Sequence, residues 1–66
     1  MKNTIKVERA KLNITQEELA KEVKVSRQTI NSIETNKYVP STVLSLKIAR
    51  FFKCTVDELF KLEEED

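Results

Sequence analysis

Residues 27–35 combine apolar and polar side chains in a pattern typical of a helix with one solvent-facing side. If Ile30 and Ile33 face a core, helical spacing leaves mostly short polar side chains and one arginine outside. Asn and Gln can form two hydrogen bonds with adenine, and Arg can do the same with guanine. Ordinary solvated residues on a small bundle would show the same periodicity. We assign as candidate base contacts Arg27, Gln28, Asn31 and Ser32.

Other side chains flank this segment at places suited to the phosphate backbone. Helix N-termini carry free backbone N–H groups that favour phosphate, and Gln16 opens the preceding predicted helix. Lys37 and Tyr38 follow the segment in a loop, and Thr29 lies in its first turn. We assign these four residues to backbone contacts, which orient a protein on DNA without reading its sequence.

Short helices joined by polar turns must position these side chains. The chain has no glycine, one proline and no alternating apolar runs, which favours an all-α fold. Thr15 and Thr55 each precede a glutamate by three residues, the spacing of a capping box, and Ser26 and Ser41 are good N-caps. Pro40 closes the loop before Ser41. The sequence predicts five helices, over about residues 3–12, 16–23, 27–35, 42–52 and 56–61.

Apolar residues in these segments supply a shared core. The stripes of the four later helices contain Leu19, Ala20, Val23, Ile30, Ile33, Leu44, Ile48, Ala49, Phe52, Val56, Leu59 and Phe60. The first helix is less regular, because Ile5, Val7, Ala10 and Leu12 do not form one stripe. Its register therefore stays open.

Only residues 24–26 join the second and third predicted helices. A turn of three or four residues between two short amphipathic helices is typical of a helix-turn-helix, in which the second helix projects from the body. A helix of nine residues is about 13 Å long. Its N-terminal end can enter the major groove of DNA while its C-terminal end stays in the core.

Charge and composition restrict the function further. Residues 1–53 carry eleven Lys or Arg and five acids, whereas residues 54–66 carry one lysine and six acids. A basic body with an acidic end suggests a polyanionic partner on one side, although both could be ordinary solvated surface. The chain has no histidine and one cysteine, Cys54, so a zinc site or an internal disulfide is not expected. We interpret Cys54 as a small core residue.

Several other classes of protein are not expected. Without histidine, a second thiol or a glycine-rich phosphate loop, the sequence does not predict an enzyme, a cofactor or a catalytic residue. No apolar run approaches the ~20 residues that span a membrane, and the N-terminus lacks the apolar segment of a signal peptide. We expect a soluble cytoplasmic protein, associated with the nucleoid, without a domain that senses a small molecule.

A specific set of residues extends from about residue 5 to residue 61. It comprises TQEELA at 15–20, VSRQTI at 25–30, Ile33-Glu34, Lys37-Tyr38, Pro40-Ser41 and LKIA at 46–49. This set resembles the Cro/CI-type helix-turn-helix proteins, the XRE family of regulators. The resemblance is strongest to a compact single-domain subgroup that includes the cytolysin-operon repressor.

The resemblance implies a fold like the DNA-binding domain of lambda repressor, with the third helix in the major groove. It implies the same base and backbone roles that the residue types suggest. It also implies a largely buried salt bridge between Arg9 and Glu34, which we interpret as structural. Family members usually place glycine at helix ends, where this chain has Asn13, Lys24, Asn36 and Lys53.

The family resemblance further implies a homodimer on a palindromic operator, acting more often as a repressor. Two reading helices one DNA turn apart, about 34 Å, would double the base contacts. The candidate interface comprises Phe51 and Leu62, which lie outside the predicted core stripes, together with Phe60, which the last stripe also offers to the core. Alternatively, Phe51 and Leu62 are isolated surface residues. We expect a DNA-binding domain over residues 1–62 and a frayed acidic tail over residues 63–66.

Two other functions remain open from the sequence. One is an antitoxin-type operon autoregulator whose main partner is a toxin protein. Antitoxins usually carry an additional partner-binding segment, and only four acidic residues follow position 62. The other is a protein-interaction module without a DNA role, which the Arg, Gln and Asn face of residues 27–35 argues against.

Overall fold

Five helices and one pair of short strands make up the fold in a computed structural model that describes all 66 residues. In chain order the elements are β1 (Lys2–Asn3), α1 (Ile5–Leu12), α2 (Gln16–Val23), α3 (Arg27–Glu34), α4 (Thr42–Phe51), α5 (Val56–Leu59) and β2 (Phe60–Lys61). The predicted five-helix fold is confirmed. No helix has both the length and the apolar character needed to cross a membrane.

The two strands were not predicted from the sequence. They pair antiparallel, with Lys2 opposite Lys61 and Asn3 opposite Phe60. The Thr4 N–H continues the contact by donating to the Leu59 carbonyl at 3.0 Å. As a consequence, α1 begins later and α5 ends earlier than the sequence predicted. Strands of two residues show no alternation that a sequence pattern could reveal.

The predicted N-caps begin four of the helices. The side chains of Thr15, Ser26, Ser41 and Thr55 each accept a hydrogen bond from the backbone N–H three residues later. Both threonines complete capping boxes with their glutamates. Hydrogen bonds from Thr55 lower the pKa of Glu58, so the second box is favoured when this carboxylate is ionised.

Four helices end in a left-handed residue that is not glycine. The φ angles are 55° at Asn13, 61° at Lys24, 62° at Asn36 and 57° at Lys53. At each one, two backbone N–H groups donate to carbonyls of the last helical turn. At the end of α4, for example, the Lys53 N–H donates to the Arg50 carbonyl and the Cys54 N–H to the Ala49 carbonyl. This is the Schellman motif. Asparagine tolerates the left-handed region better than lysine does.

We predict that Lys53→Gly stabilises the protein. Glycine removes a steric cost of about 1–2 kcal/mol at the left-handed position, and its greater freedom in the unfolded chain offsets about 0.5–1 kcal/mol of this gain. The net gain should be about 0.5–1 kcal/mol and raise Tm by a few degrees. Thermal unfolding measures it. Lys53→Ala is the control, because it keeps the Cβ and should bring no comparable gain; an equal gain in both variants would contradict the steric explanation.

The core lies where α1 to α5 and β2 meet. Its members are Ile5, Leu19, Ala20, Val23, Ile30, Ile33, Leu44, Ile48, Ala49, Leu59 and Phe60. The predicted stripes therefore supply the core, with Phe52 and Val56 only partly buried against it. Helix α1 contributes Ile5 alone, while Val7 and Leu12 are about half exposed, which explains its irregular sequence pattern.

Two residues near the C-terminus pack differently from each other. Phe60 is 7% exposed and belongs to β2 and the core, which corrects the prediction that it remains free for a partner. Leu62, directly after β2, is 82% exposed. Phe60 pairs with Asn3 in the two-stranded sheet and packs into the core, whereas Leu62 lies beyond the end of β2 and is not covered.

Cys54 packs partly buried against the core just after the left-handed Lys53. This is the position where a Schellman motif commonly places an apolar residue. Burial raises the pKa of the Cys54 thiol, and the nearby carboxylates of Glu58 and Glu8 act in the same direction. The thiol is therefore kept neutral and fills space, as the sequence suggested.

Candidate nucleic-acid interface

The start of α3 is held by its cap and by the turn from α2. The Thr29 N–H donates to the Ser26 side chain at 3.1 Å, and the hydroxyls of these two residues lie 2.9 Å apart. Ile30 and Ile33 anchor the opposite face in the core. The structure thus leaves Arg27, Gln28 and Asn31 exposed, and Ser32 and Thr29 partly buried.

One side of α3 meets the loop that follows it. Gln28, Ser32 and Tyr38 line a shallow surface depression together with the cap residues Ser26 and Thr29. Tyr38 is 47% exposed, so its ring can still contact a ligand. The structure therefore gathers two candidate base-contacting residues and two candidate backbone-contacting residues, Thr29 and Tyr38, on a single surface.

Lys37 extends the same loop. Its backbone N–H donates to the Ser32 carbonyl at 2.9 Å, directly after the left-handed Asn36. The backbone is thereby tied to the last turn of α3, while the residue as a whole remains exposed. A flexible ammonium group on a fixed backbone is suited to contact a phosphate as a point charge.

On its other side α3 is joined to α2 by Gln16. The Gln16 Nε2 donates to Glu34 Oε1 at 3.0 Å and to Asn31 Oδ1 at 3.2 Å. Its Oε1 accepts from Arg27 Nη1 at 3.4 Å. Sequence reasoning assigned Gln16 to phosphate and did not foresee these contacts. Both side-chain amide hydrogens of Gln16 are therefore donated within the chain. Its backbone N–H lies in the first turn of α2, where it has no intrahelical partner and is available to an anion.

Arg9 and Glu34 form a two-pronged ion pair between α1 and α3. Arg9 Nε lies 2.7 Å from Glu34 Oε2, and Arg9 Nη2 lies 3.0 Å from Oε1. The side chains are only 14% and 5% exposed, and Arg9 Nη1 also donates to the Ile14 carbonyl at 3.0 Å. Hydrogen bonds to Glu34 raise the pKa of Arg9. The pair fixes the C-terminal end of α3 to the body.

Asn3 is a positioning residue that sequence reasoning missed. Its Nδ2 donates to the Ile33 carbonyl at 2.9 Å and to Asn36 Oδ1 at 3.3 Å, and its Oδ1 accepts from the Ile5 N–H at 3.1 Å. It therefore joins β1 to the last turn of α3. An asparagine near the N-terminus gives no sequence signal for this contact, because the contact depends on the strand pairing.

The predicted interface candidates Phe51 and Leu62 lie on other elements. Phe51 is partly buried and makes an edge-to-face contact with Phe52, with ring centroids 5.1 Å apart. In the acidic end, the N-terminal amino group lies 3.1 Å from Glu63 and 3.0 Å from Asp66. No group of three or more His, Cys, Asp or Glu side chains is placed to hold a metal ion.

The family of the protein follows from this geometry and from its relatives. A family described as helix-turn-helix matches residues 5–59, which include α1 to α5. The chain belongs to the Cro/CI-type (XRE) helix-turn-helix family of DNA-binding transcriptional regulators.

Individual relatives share the full length of the chain. An uncharacterized HTH-type transcriptional regulator of Methanocaldococcus jannaschii is 50% identical over 66 residues, covering 100% of both chains. The uncharacterized regulator YgzD of Bacillus subtilis is 46% identical with the same coverage. Among solved structures, the P22 c2 repressor in complex with a synthetic operator is similar, with a TM-score of 0.77, 32% identity and 80% of each chain covered.

Proposed function

We propose that this protein represses transcription by binding a palindromic operator as a homodimer, with α3 in the major groove. The observation that carries the proposal is the α3 surface, where Arg27, Gln28 and Asn31 are exposed on a helix fixed by a cap, an ion pair and the core. The similar P22 c2 repressor is bound to operator DNA. This function places the protein in the cytoplasm, at the nucleoid.

The residues divide by role in this proposal. Direct contacts with base edges come from Arg27, Gln28, Asn31 and Ser32. Backbone contacts come from Lys37, Tyr38, Thr29 and the free N–H of Gln16. The first group supplies the choice of sequence, and the second supplies orientation and most of the dependence on salt.

Genomic footprinting of the tagged protein in its host tests the proposal. A few sharp sites that share a two-fold motif, with half-sites about one DNA turn apart, are the expected result. Transcripts beginning at these sites should rise when the gene is deleted; a fall would mean activation instead. Diffuse signal without a shared motif would overturn sequence-specific binding and favour a protein partner, such as a toxin.

The proposed dimer is centred on Leu62 and Phe51. Leu62 is the most exposed of the large apolar side chains, and Phe51 is only partly buried. Sedimentation equilibrium at micromolar concentration should show a dimer that Leu62→Ser weakens. Leu12→Ser, at an exposed leucine of α1, is the matched control. A wild-type monomer, or equal weakening by both variants, would remove this interface.

We predict that Lys37→Ala weakens binding to every duplex by a similar factor. Loss of one phosphate contact should reduce the slope of log K against log salt by about 0.9. Titrations of an operator duplex and a scrambled duplex at several salt concentrations measure both effects. The matched control is Lys21→Ala, which removes an exposed lysine from α2 and should change the slope less. An unchanged slope in Lys37→Ala would exclude the contact.

A further inference from the structure

Three cations surround a partly buried aromatic ring between α2 and α4. The C-terminal halves of these helices enclose an open cleft, the α2–α4 cleft, lined by Glu22, Val23, Lys24, Lys47, Arg50 and Phe51. The three cations are exposed, and none of them takes part in an ion pair within the chain. Glu22 supplies the one carboxylate of the lining. The cleft therefore offers an apolar contact, Phe51, within an excess of positive charge.

Charges of one sign extend along the whole segment that contains α4. Residues 35–56 include Lys37, Lys47, Arg50 and Lys53 and no acidic residue. Residues 57–66 include six acidic residues and one lysine. Since opposite charges across an interface favour one pairing of surfaces over others, the two segments of one copy complement those of another.

The C-terminal segment, residues 62–66, is held against the N-terminus of its own chain. The N-terminal amino group lies 3.1 Å from Glu63 and 3.0 Å from Asp66, and Asp66 also accepts from the Glu63 N–H at 2.8 Å. Leu62 is 82% exposed, and the carboxylates of Glu64 and Glu65 are exposed and form no ion pair. The segment thus presents one apolar and two unpaired acidic side chains, none of them in contact with the α2–α4 cleft of its own chain.

We propose that the C-terminal segment docks in the α2–α4 cleft of a second copy of this chain. Leu62 packs on Phe51, and the two unpaired carboxylates face the cations of the cleft. The inference rests on the proposed function and adds the contact that holds its homodimer together. In a two-fold dimer the same contact occurs twice. Exposed ion pairs singly contribute little, so the apolar contact and the repetition both matter.

A second copy fits the cleft better than DNA does. Phosphates would match its charge, but a phosphate backbone offers no apolar group to pack on Phe51. The cleft also lies at the opposite end of α2 from Gln16, a distance of about 10 Å along the helix axis. The backbone N–H assigned to DNA is therefore at one end of α2 and the docking surface at the other.

Two charge-reversal variants test the contact separately and together. Lys47→Glu with Arg50→Glu reverses the cleft, and Glu64→Lys with Glu65→Lys reverses the segment. In sedimentation equilibrium each variant alone should raise the Kd of the dimer about tenfold or more, because like charges then meet in both contacts. An equimolar mixture of the two should recover an affinity close to that of the wild type, since both contacts of the mixed dimer again join opposite charges.

Lys6→Glu with Lys11→Glu, which reverses two exposed lysines of α1, is the matched control and should leave the dimer unchanged. Recovery in the mixture also shows that both variants fold. A wild-type dimer that neither variant weakens, or weakening without recovery in the mixture, would overturn the docking and leave the proposed homodimer intact. A cleft variant that loses DNA affinity and still dimerises would assign the cleft to the DNA backbone instead. A wild-type monomer would overturn the proposed homodimer, and the docking with it.

Discussion

Replacing Glu34 with alanine is expected to lower the free energy of unfolding by about 3–5 kcal/mol. The substitution leaves the guanidinium of Arg9, which is 14% exposed, without its carboxylate. It also removes the acceptor of one Gln16 hydrogen bond. The free energy of unfolding of native proteins is about 0.05–0.15 kcal/mol per residue, so a chain of 66 residues has a small total stability. Urea unfolding followed by circular dichroism measures the change, and part of the Glu34→Ala population should be unfolded without denaturant.

The paired substitution separates loss of charge pairing from loss of packing. Arg9→Met with Glu34→Leu removes both charges and keeps apolar volume, so it should recover most of the stability lost in Glu34→Ala. Glu17→Ala, at an exposed glutamate of α2, is the control and should change stability by less than about 0.5 kcal/mol. A loss below about 1 kcal/mol in Glu34→Ala would contradict a buried pair, for which a larger loss is expected.

The helix starts could be predicted because their determinants are local. A hydroxyl at Thr15, Ser26, Ser41 or Thr55 reaches a backbone N–H only three residues away, so the short sequence pattern contains most of the information. The core stripes of α2 to α4 follow for a similar reason, since helical spacing alone places their side chains on one face. These elements needed no knowledge of the tertiary arrangement.

The features that sequence reasoning missed depend on contacts between distant segments. The burial of Phe60 follows from pairing between the two ends of the chain, and no local pattern encodes that pairing. Asn3 reaches the end of α3 only because β1 is held there. The 3.2 Å bond from Gln16 to Asn31 depends on how α2 packs against α3. Residue types indicated which side chains could bind DNA, but only the packing shows which of their donor and acceptor atoms are already hydrogen-bonded within the chain.

Gln28→Ala is expected to weaken binding to the operator by about 1–3 kcal/mol, or about 5- to 100-fold. Binding to a scrambled duplex should change much less, because non-specific affinity comes mainly from phosphate contacts. Gln28 lies exposed beside Ser32 and Tyr38 on the α3 surface, so its truncation leaves no buried polar group unpaired. The variant should therefore unfold at the wild-type temperature, and a change in affinity would report on the interface.

The ratio of the two affinities is the informative quantity. Fluorescence anisotropy with labelled operator and scrambled duplexes, at one fixed salt concentration, gives this ratio for Gln28→Ala and for Lys37→Ala. Truncating a base-reading residue should lower the ratio of operator affinity to scrambled-duplex affinity. Truncating a phosphate-contacting residue should lower both affinities and leave their ratio unchanged. Equal weakening on both duplexes would assign Gln28 to the backbone. Base selection would then fall mainly to Arg27 and Asn31, the two α3 side chains that Gln16 holds in place.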